Sequence, residues 1–191
     1  MPQPPLPSTG KFDVNPLSSI VLPHADTHES GGNDPVIPSV RFVALTTIST
    51  STSSTSTSYA DVTGSSTTFI SRGGRLRIVF AGPRSASATG TGAELSTVLY
   101  VKAVLDSTNL NEYYLAVANQ NEVEDNVVIS IGEAGALVWY TTALSGKHTV
   151  KLQLKIGGSG STTGYVGRDL VAAADVPCSL TVEEILPIRA E

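Results

Sequence analysis

Residues 147–156 constrain the fold more than any other segment of this sequence. Their apolar side chains alternate strictly with polar ones, and a two-residue period predicts a β-strand with one buried and one wet face. Residues 75–81 repeat this alternation. No long stretch has the 3.6-residue period of a helix, and the best helical candidate, residues 169–174, allows only one or two turns. The sequence therefore predicts an all-β fold.

From Arg41 onward, short β-type runs are interrupted by Gly, Ser, Asn and Asp about every 8–15 residues, a spacing typical of a sandwich or barrel. We predict a single jelly-roll-like antiparallel β-sandwich at residues 41–191. Its strands are predicted at 41–49, 66–71, 75–81, 95–105, 112–118, 126–131, 136–142, 147–156 and 178–186.

Two strands are predicted to be covered on both faces, because residues 98–101 and 136–140 are apolar at nearly every position. A second sheet, a loop or a neighbouring subunit would supply the second cover. Two patches of Gly, Ser, Thr and Ala, residues 85–93 and 157–164, are predicted to be surface loops. Residues 46–58 are Ser or Thr at twelve of thirteen positions, and they fit a flexible linker and an exposed strand equally well.

The N-terminal segment, residues 1–40, differs in composition from the rest of the chain. Eight of the eleven prolines occur in its first 38 residues. Proline fixes φ and removes a backbone donor, so the segment is predicted to be an extended Pro-rich arm. An isolated arm has little to offset its ordering entropy, so we expect it to lie on a neighbouring subunit or a larger assembly. The predicted domains are thus an anchoring arm at 1–40 and a sandwich at 41–191.

Composition and charge exclude several functional classes. The formal net charge of −5 argues against nucleic acid as a partner, since phosphate binding needs clustered Lys and Arg. No apolar run is long enough for a membrane-spanning helix, so we expect a soluble protein with no membrane partner. The N-terminus lacks the basic and apolar regions of a secretory signal peptide. The single cysteine, Cys178, precedes an alternating run and is predicted to be buried.

Residues 24–35, with the sequence HADTHESGGNDP, contain two of the three histidines. Pro23 and the Gly31–Gly32 pair leave little room for a helix, and Ala25 stands where a metalloprotease helix needs Glu. Two interpretations stay open. The segment is either a tight turn capped by its own side chains, or a divalent-metal site formed by His24, His28 and a carboxylate, within one chain or on a symmetry axis. Apart from this possible metal, no cofactor is expected.

The same segment resembles a His-x-x-Thr-His-x-x-Gly-Gly-x-Asp-Pro element of tailed-bacteriophage virion proteins, particularly fibre proteins. The end of the chain, residues 178–185, is similar to the single jelly-roll domain of phage fibre tips and capsid decoration proteins. The resemblance implies a homotrimeric virion-surface protein, assembled in the bacterial host cytoplasm and bound to a major capsid or other virion protein by its arm. The matching residues are His24, Thr27, His28, Gly31, Gly32, Asp34 and Pro35.

Two other functions are considered. A lectin-like, receptor-binding module would recognise host-surface glycans through exposed aromatic rings, for which Tyr165, Tyr113 and Tyr114 are the candidates, whereas Trp139 is expected in the core or a subunit interface. A hydrolase would need a nucleophile beside His148 or a pair of converging carboxylates, for which the candidates are Glu112, Glu122, Glu124, Asp125 and Glu133. No nucleophile motif is present, so we expect no enzyme and no catalytic residue. The favoured prediction is a structural protein, either a capsid decoration or a short fibre, with decoration slightly preferred.

Overall fold

The computed structural model describes residues 40–92, 95–119, 123–169 and 174–186. The predicted arm and the His24–Pro35 element lie outside these residues. The described part of the chain contains strands and no helix, which confirms the all-β prediction. The strands are β1 (Val40–Ile48), β2 (Thr52–Ser54), β3 (Ala60–Asp61), β4 (Thr67–Gly92), β5 (Leu95–Leu105), β6 (Thr108–Asn119), β7 (Val123–Ser159), β8 (Ser161–Val166), β9 (Arg168–Asp169), β10 (Ala174–Asp175) and β11 (Cys178–Ile185).

The first layer of the fold is formed by β1, β11, β4 and β7, in that order. β1 pairs with β11, and β11 pairs with residues 75–81 of β4. The other edge of β4 pairs with residues 123–143 of β7. Strands β8 and β2 extend this layer, because β8 pairs with residues 84–89 of β4 and β2 pairs with β8. Every ladder is antiparallel.

The second layer runs β3, β7, β5, β6. It uses the later part of β7, where residues 150–159 pair with β5 and residues 153–154 pair with β3. β6 pairs with β5 at the edge. If β2, β8, β9 and β10 are left out and β7 is counted as two segments, eight segments remain. The first layer joins the first, eighth, third and sixth of them, and the second layer joins the second, seventh, fourth and fifth. This pairing order is that of a jelly roll.

Two glycines let β4 and β7 pass from one layer to the other without ending. Gly73 has φ +103° and Gly146 has φ +108°, in the left-handed region that L side chains rarely adopt. The β4–β7 register shifts between Arg72 and Arg75, at the same place. The predicted strands 66–71 and 75–81 are therefore one strand, and so are 126–131, 136–142 and 147–156.

The hydrophobic core lies between the two layers. Leu76, Ile78 and Phe80 from the first layer have no exposed surface, and Val150, Leu152 and Leu154 from the second layer have none either. The core side chains form a single cluster, so each layer buries one face of its alternating strands. Each such side chain contributes about 1.5–3 kcal/mol on burial.

Both predicted surface loops are wrong, because small residues serve here as close-packed strand positions. In the patch 85–93, Ala86 and Ala88 are fully buried in β4. In the patch 157–164, a Cβ added to Gly164 would lie 2.7 Å from Leu99 Cδ1. Small side chains are required where strands and layers approach this closely. The residues 46–58 are partly strand, in β1 and β2. The helix candidate, residues 169–174, begins in β9 and ends in β10, and these two strands pair through Asp169 and Ala174.

Candidate functional site

The structure tests only part of the predicted site. His24, Thr27, His28, Gly31, Gly32, Asp34 and Pro35 lie outside the described residues, so the turn and the metal site stay predictions. Within the described ranges, no group of three or more His, Cys, Asp or Glu is placed to hold a metal ion. In the same ranges, no helix is long and apolar enough to cross a membrane.

The three candidate tyrosines occupy two different strands. Tyr113 and Tyr114 are neighbours on β6, so their side chains point to opposite faces of the second layer. Tyr114 is the more exposed, at 73% against 38% for Tyr113. Tyr165 was predicted in a polar loop but belongs to β8, which extends the first layer. Its ring is half-buried, with the Arg168 guanidinium 4.7 Å from its centre.

Tyr113 and Trp139 together hold the edge of β6 against β7. The two rings meet edge to face, with their centres 5.3 Å apart. The Trp139 Nε1–H donates to the Asn111 carbonyl at 2.6 Å, and the Tyr113 hydroxyl donates to the Val138 carbonyl, also at 2.6 Å. Trp139 is only 3% exposed, as predicted for a core residue. These contacts join the open edges of the two layers.

A cavity of about 310 Å³ lies beside Tyr113, and Leu99, Val101 and Leu137 line it. Its polar side is an ion pair in which Arg84 Nη2 lies 3.0 Å from Glu133 Oε2. Burial lowers the pKa of Arg84, and the Glu133 carboxylate opposes this effect. Nothing in the sequence pattern distinguishes Arg84 from the other arginines. Glu133, a candidate hydrolase carboxylate by its sequence, is instead engaged by this guanidinium.

The second hydrolase candidate, His148, does not complete a triad. Its Nδ1 lies 2.9 Å from Asp106 Oδ2, and its ring centre is 5.9 Å from that of Phe69. The nucleophile of a triad must hydrogen-bond the other ring nitrogen. His148 Nε2 is buried and has no hydrogen-bond partner among the described residues.

The outer face of the first layer, called here the first-layer face, is unusually apolar. Successive strands place two rows of side chains side by side on it. Antiparallel sheets usually turn polar side chains towards water on their outer face. Here Phe42, Leu45 and Tyr140 are 59%, 54% and 57% exposed. The rows are Leu45, Thr181, Val79 and Val138, and then Phe42, Glu183, Arg77 and Tyr140.

Among the described residues, the two runs predicted to be covered on both faces differ in their cover. In the run 98–101, Leu99 and Val101 are buried in the core and Val98 and Tyr100 are half-buried on the outer side. Burial on both faces extends over residues 101–105 of β5, where the ring of Tyr59 lies over Lys102. Residues 136–140 of β7 bury Leu137 and Trp139 in the core but leave Tyr140 exposed on the first-layer face. The sequence pattern does not predict that Phe42 and Leu45 are exposed on the same face. Both point outward because a bulge between Phe42 and Ala44 shifts the alternation.

Comparisons with known proteins support no family assignment. The sequence matches no protein-family model and no curated protein. Solved structures with weak similarity include the VP2 protein of infectious bursal disease virus in derived T=1 particles, at 14% identity and a TM-score of 0.34 over 82% of this chain. The chain spans about 40% of the length of that VP2 chain.

Two other weakly similar structures have different origins. TmCBM61 in complex with β-1,4-galactotriose is 12% identical, with a TM-score of 0.22 over 72% of this chain and 68% of that one. The globular domain of zebrafish complement 1qA is 14% identical, with a TM-score of 0.22 over 80% of this chain and all of that one. At these TM-scores the similarities give no basis for assigning an activity or a partner.

Proposed function

We propose that this chain is a non-enzymatic structural protein of a tailed-bacteriophage virion, located on the particle surface. Residues 1–40 anchor it to a capsid or other virion protein, and the sandwich assembles as a homotrimer that decorates the capsid or forms a short fibre. The observation that carries the assembly proposal is the first-layer face, on which Phe42, Leu45 and Tyr140 are each more than half exposed. The resemblance of residues 24–35 to phage virion proteins supports the proposal that the chain belongs to a phage particle.

The first-layer face is suited to contact with another copy of the chain. The two charged side chains in its rows pair with each other, since Arg77 Nη1 lies 2.8 Å from Glu183 Oε2. In a ring, this face meets a second, different surface of the next copy, apart from the outer face of the second layer. Contact between unlike surfaces of successive copies is head-to-tail, and such contacts close into a ring when the rotation allows. A ring of three would remove the exposed Phe42 and Leu45 from water.

The mass of the full-length protein in solution tests this assembly. Light scattering on a sizing column, at several concentrations, should give a mass near three chains. The variants Phe42→Ser and Leu45→Ser should shift it towards one chain. Ile70→Ser is the matched control, because Ile70 is 66% exposed but lies in residues 67–72 of β4, away from the first-layer face. A concentration-independent monomer would contradict the trimer.

Anchoring is tested separately on virions of the phage that encodes the protein. A chain lacking residues 1–40 should fail to bind particles stripped of the protein, while the full chain binds them. Attachment of the shortened chain would contradict the anchoring role of the arm but not the trimer.

A further inference from the structure

The outer face of the second layer carries a cluster of lysines and tyrosines that the proposed assembly does not use. β6, β5, β7 and β3 place two rows of side chains side by side on this face. Three of the six tyrosines of the chain lie in or against these rows. The rows are Glu112, Lys102, Gln153 and Asp61, and then Tyr114, Tyr100 and Lys155, with the ring of Tyr59 lying over the lysines.

Lys102 is the unusual member of this cluster. It is only 8% exposed, and its Nζ lies 3.7 Å from the centre of the Tyr59 ring. Among the described residues, no carboxylate forms an ion pair with it. Burial lowers the pKa of Lys102, and the nearby charge of Lys155 lowers it further. A buried ammonium without an anion is costly, and a ring face offsets only part of that cost.

Lys155 adds a second ammonium to the same ring. Its Nζ lies 4.6 Å from the centre of Tyr59 and 4.4 Å from that of Tyr100. Glu112 Oε2 is 3.4 Å away. The other carboxylate on this face, Asp61, is engaged by Lys151 at 2.7 Å and by Gln153 at 2.8 Å. Glu112 is thus paired with Lys155, and the Lys102 ammonium stays without a carboxylate partner among the described residues, in a chain whose net charge is −5.

The neighbouring aromatic surface is open to solvent. Tyr114 is 73% exposed and stands beside Tyr100 across the β5–β6 ladder. An exposed tyrosine ring offers an apolar face for the C–H side of a sugar ring. Around it, Gln153 and Glu112 provide donors and acceptors for hydroxyl groups. The overall negative charge disfavours polyphosphates such as nucleic acid, whereas a single carboxylate can approach Lys155, whose side chain is 27% exposed; Lys102 lies under the same Tyr59 ring.

We propose that Lys102 and Lys155, with Tyr59, Tyr100 and Tyr114, form a binding site for saccharides that bear a carboxylate. The carboxylate lies against the two ammoniums and a sugar ring stacks on Tyr114. A neutral sugar would leave Lys102 without its anion and would bind more weakly. The site lies on the face opposite the one used for assembly, so it does not depend on the proposed function.

Calorimetric titration of the full-length protein with an oligogalacturonate, and with a neutral malto-oligosaccharide of the same length, tests this site. The acidic oligomer should bind at least about tenfold more tightly, a difference of about 1.4 kcal/mol. Lys102→Met keeps the apolar stem and removes the charge, and Tyr114→Ala removes the exposed ring. Each should weaken acidic binding by about tenfold or more. The control Lys147→Met removes an exposed lysine outside this cluster and should leave acidic binding unchanged.

Three results would overturn the proposal: no binding of the acidic oligomer, equal binding of the neutral one, or unchanged binding by the two site variants. Acetate that competes as effectively as galacturonate would show an anion site and would overturn the saccharide part. Thermal melting checks that Lys102→Met folds, and Lys155→Met gives a second test at a more exposed position. Light scattering on the same samples separates this test from assembly, because the site variants should keep the mass of the unmodified protein.

Discussion

At the scale of single residues, Glu184 is the most constrained charged group of the described chain. Its side chain is fully buried, and Arg41 Nη2 lies 2.6 Å from Oε2. Its Oε1 accepts hydrogen bonds from the backbone N–H groups of Arg72 and Gly74, at 2.7 and 2.8 Å, and from the Ser71 hydroxyl. These groups lie beside Gly73, where β4 crosses between the layers. The Glu184 carboxylate therefore holds the backbone of β4 at the point where this strand passes from one layer to the other.

This arrangement predicts a specific loss of stability in acid. Burial by itself raises the pKa of Glu184, but the hydrogen bonds from Gly74, Arg41, Ser71 and Arg72 outweigh it and lower the pKa from 4.5 to about 2. Because the folded pKa lies below the unfolded one, the stabilisation is complete above pH 4.5 and is lost as the pH falls towards 2. It amounts to about 3 kcal/mol.

Urea unfolding from pH 7 to pH 2 measures this effect. Glu184→Gln should lower the free energy of unfolding by about 3 kcal/mol at pH 7 and by much less at pH 2. Glu183→Gln is the control, because its ion pair with Arg77 is partly exposed and should contribute less than about 1 kcal/mol. A pH-independent difference between the Glu184→Gln variant and the unmodified protein would show that the buried charge is not the cause.

At the scale of strands, the sequence predicts the strands that have a strong apolar pattern, but it does not predict the strands that are built from small residues. Residues 95–105 were predicted within their observed bounds, because their apolar pattern is strong. Residues 157–164 were assigned to a loop, because Gly, Ser and Thr have no burial signal of their own. These residues are buried by the strands that pair with them, and the pairing is known only from the register in the structure. The single β4 was predicted as two strands for the same reason, since Gly73–Gly74 looks like a turn.

Gly158 in β7 tests how tightly these strands are packed. It has φ +134°, and a Cβ there would meet the Ser96 carbonyl and lie 2.8 Å from Thr97 Cα. Both neighbours are backbone and cannot rotate away. Gly158→Ala should therefore lower the free energy of unfolding by about 3 kcal/mol or more.

Gly64→Ala is the matched control for this substitution. Gly64 has φ +74°, but nothing lies within 4 Å of an added Cβ. Only backbone strain of about 1–2 kcal/mol is expected there. Equal losses in urea unfolding of the two variants would mean that strain alone, and not close strand packing, limits position 158.

At the scale of the whole molecule, the site was less predictable than the fold. Tyr113 and Tyr114 were candidates because aromatic residues are conspicuous in a sequence. Lys102, Arg84 and Phe42 were missed, because their roles depend on neighbours from three or four strands. Lys102 reads as an ordinary solvent-facing lysine until Tyr59 is placed over it. The two faces of the sandwich then differ, since one offers apolar rows and the other offers ammoniums and tyrosine rings.

If the first-layer face assembles three chains, the melting temperature must depend on protein concentration. Unfolding a trimer releases three chains, so each tenfold rise in concentration stabilises each chain by about 1 kcal/mol. For a chain of this size this corresponds to about 2–4 °C.

Phe42→Ser combined with Leu45→Ser should remove the dependence of the melting temperature on concentration. Both side chains are more than half exposed in one chain, so the variant should melt where the unmodified protein melts at high dilution. Calorimetric scans over a hundredfold concentration range measure this, with Ile70→Ser expected to keep the full dependence. A melting temperature that is the same at every concentration in the unmodified protein would mean that the apolar face stays exposed to water in solution.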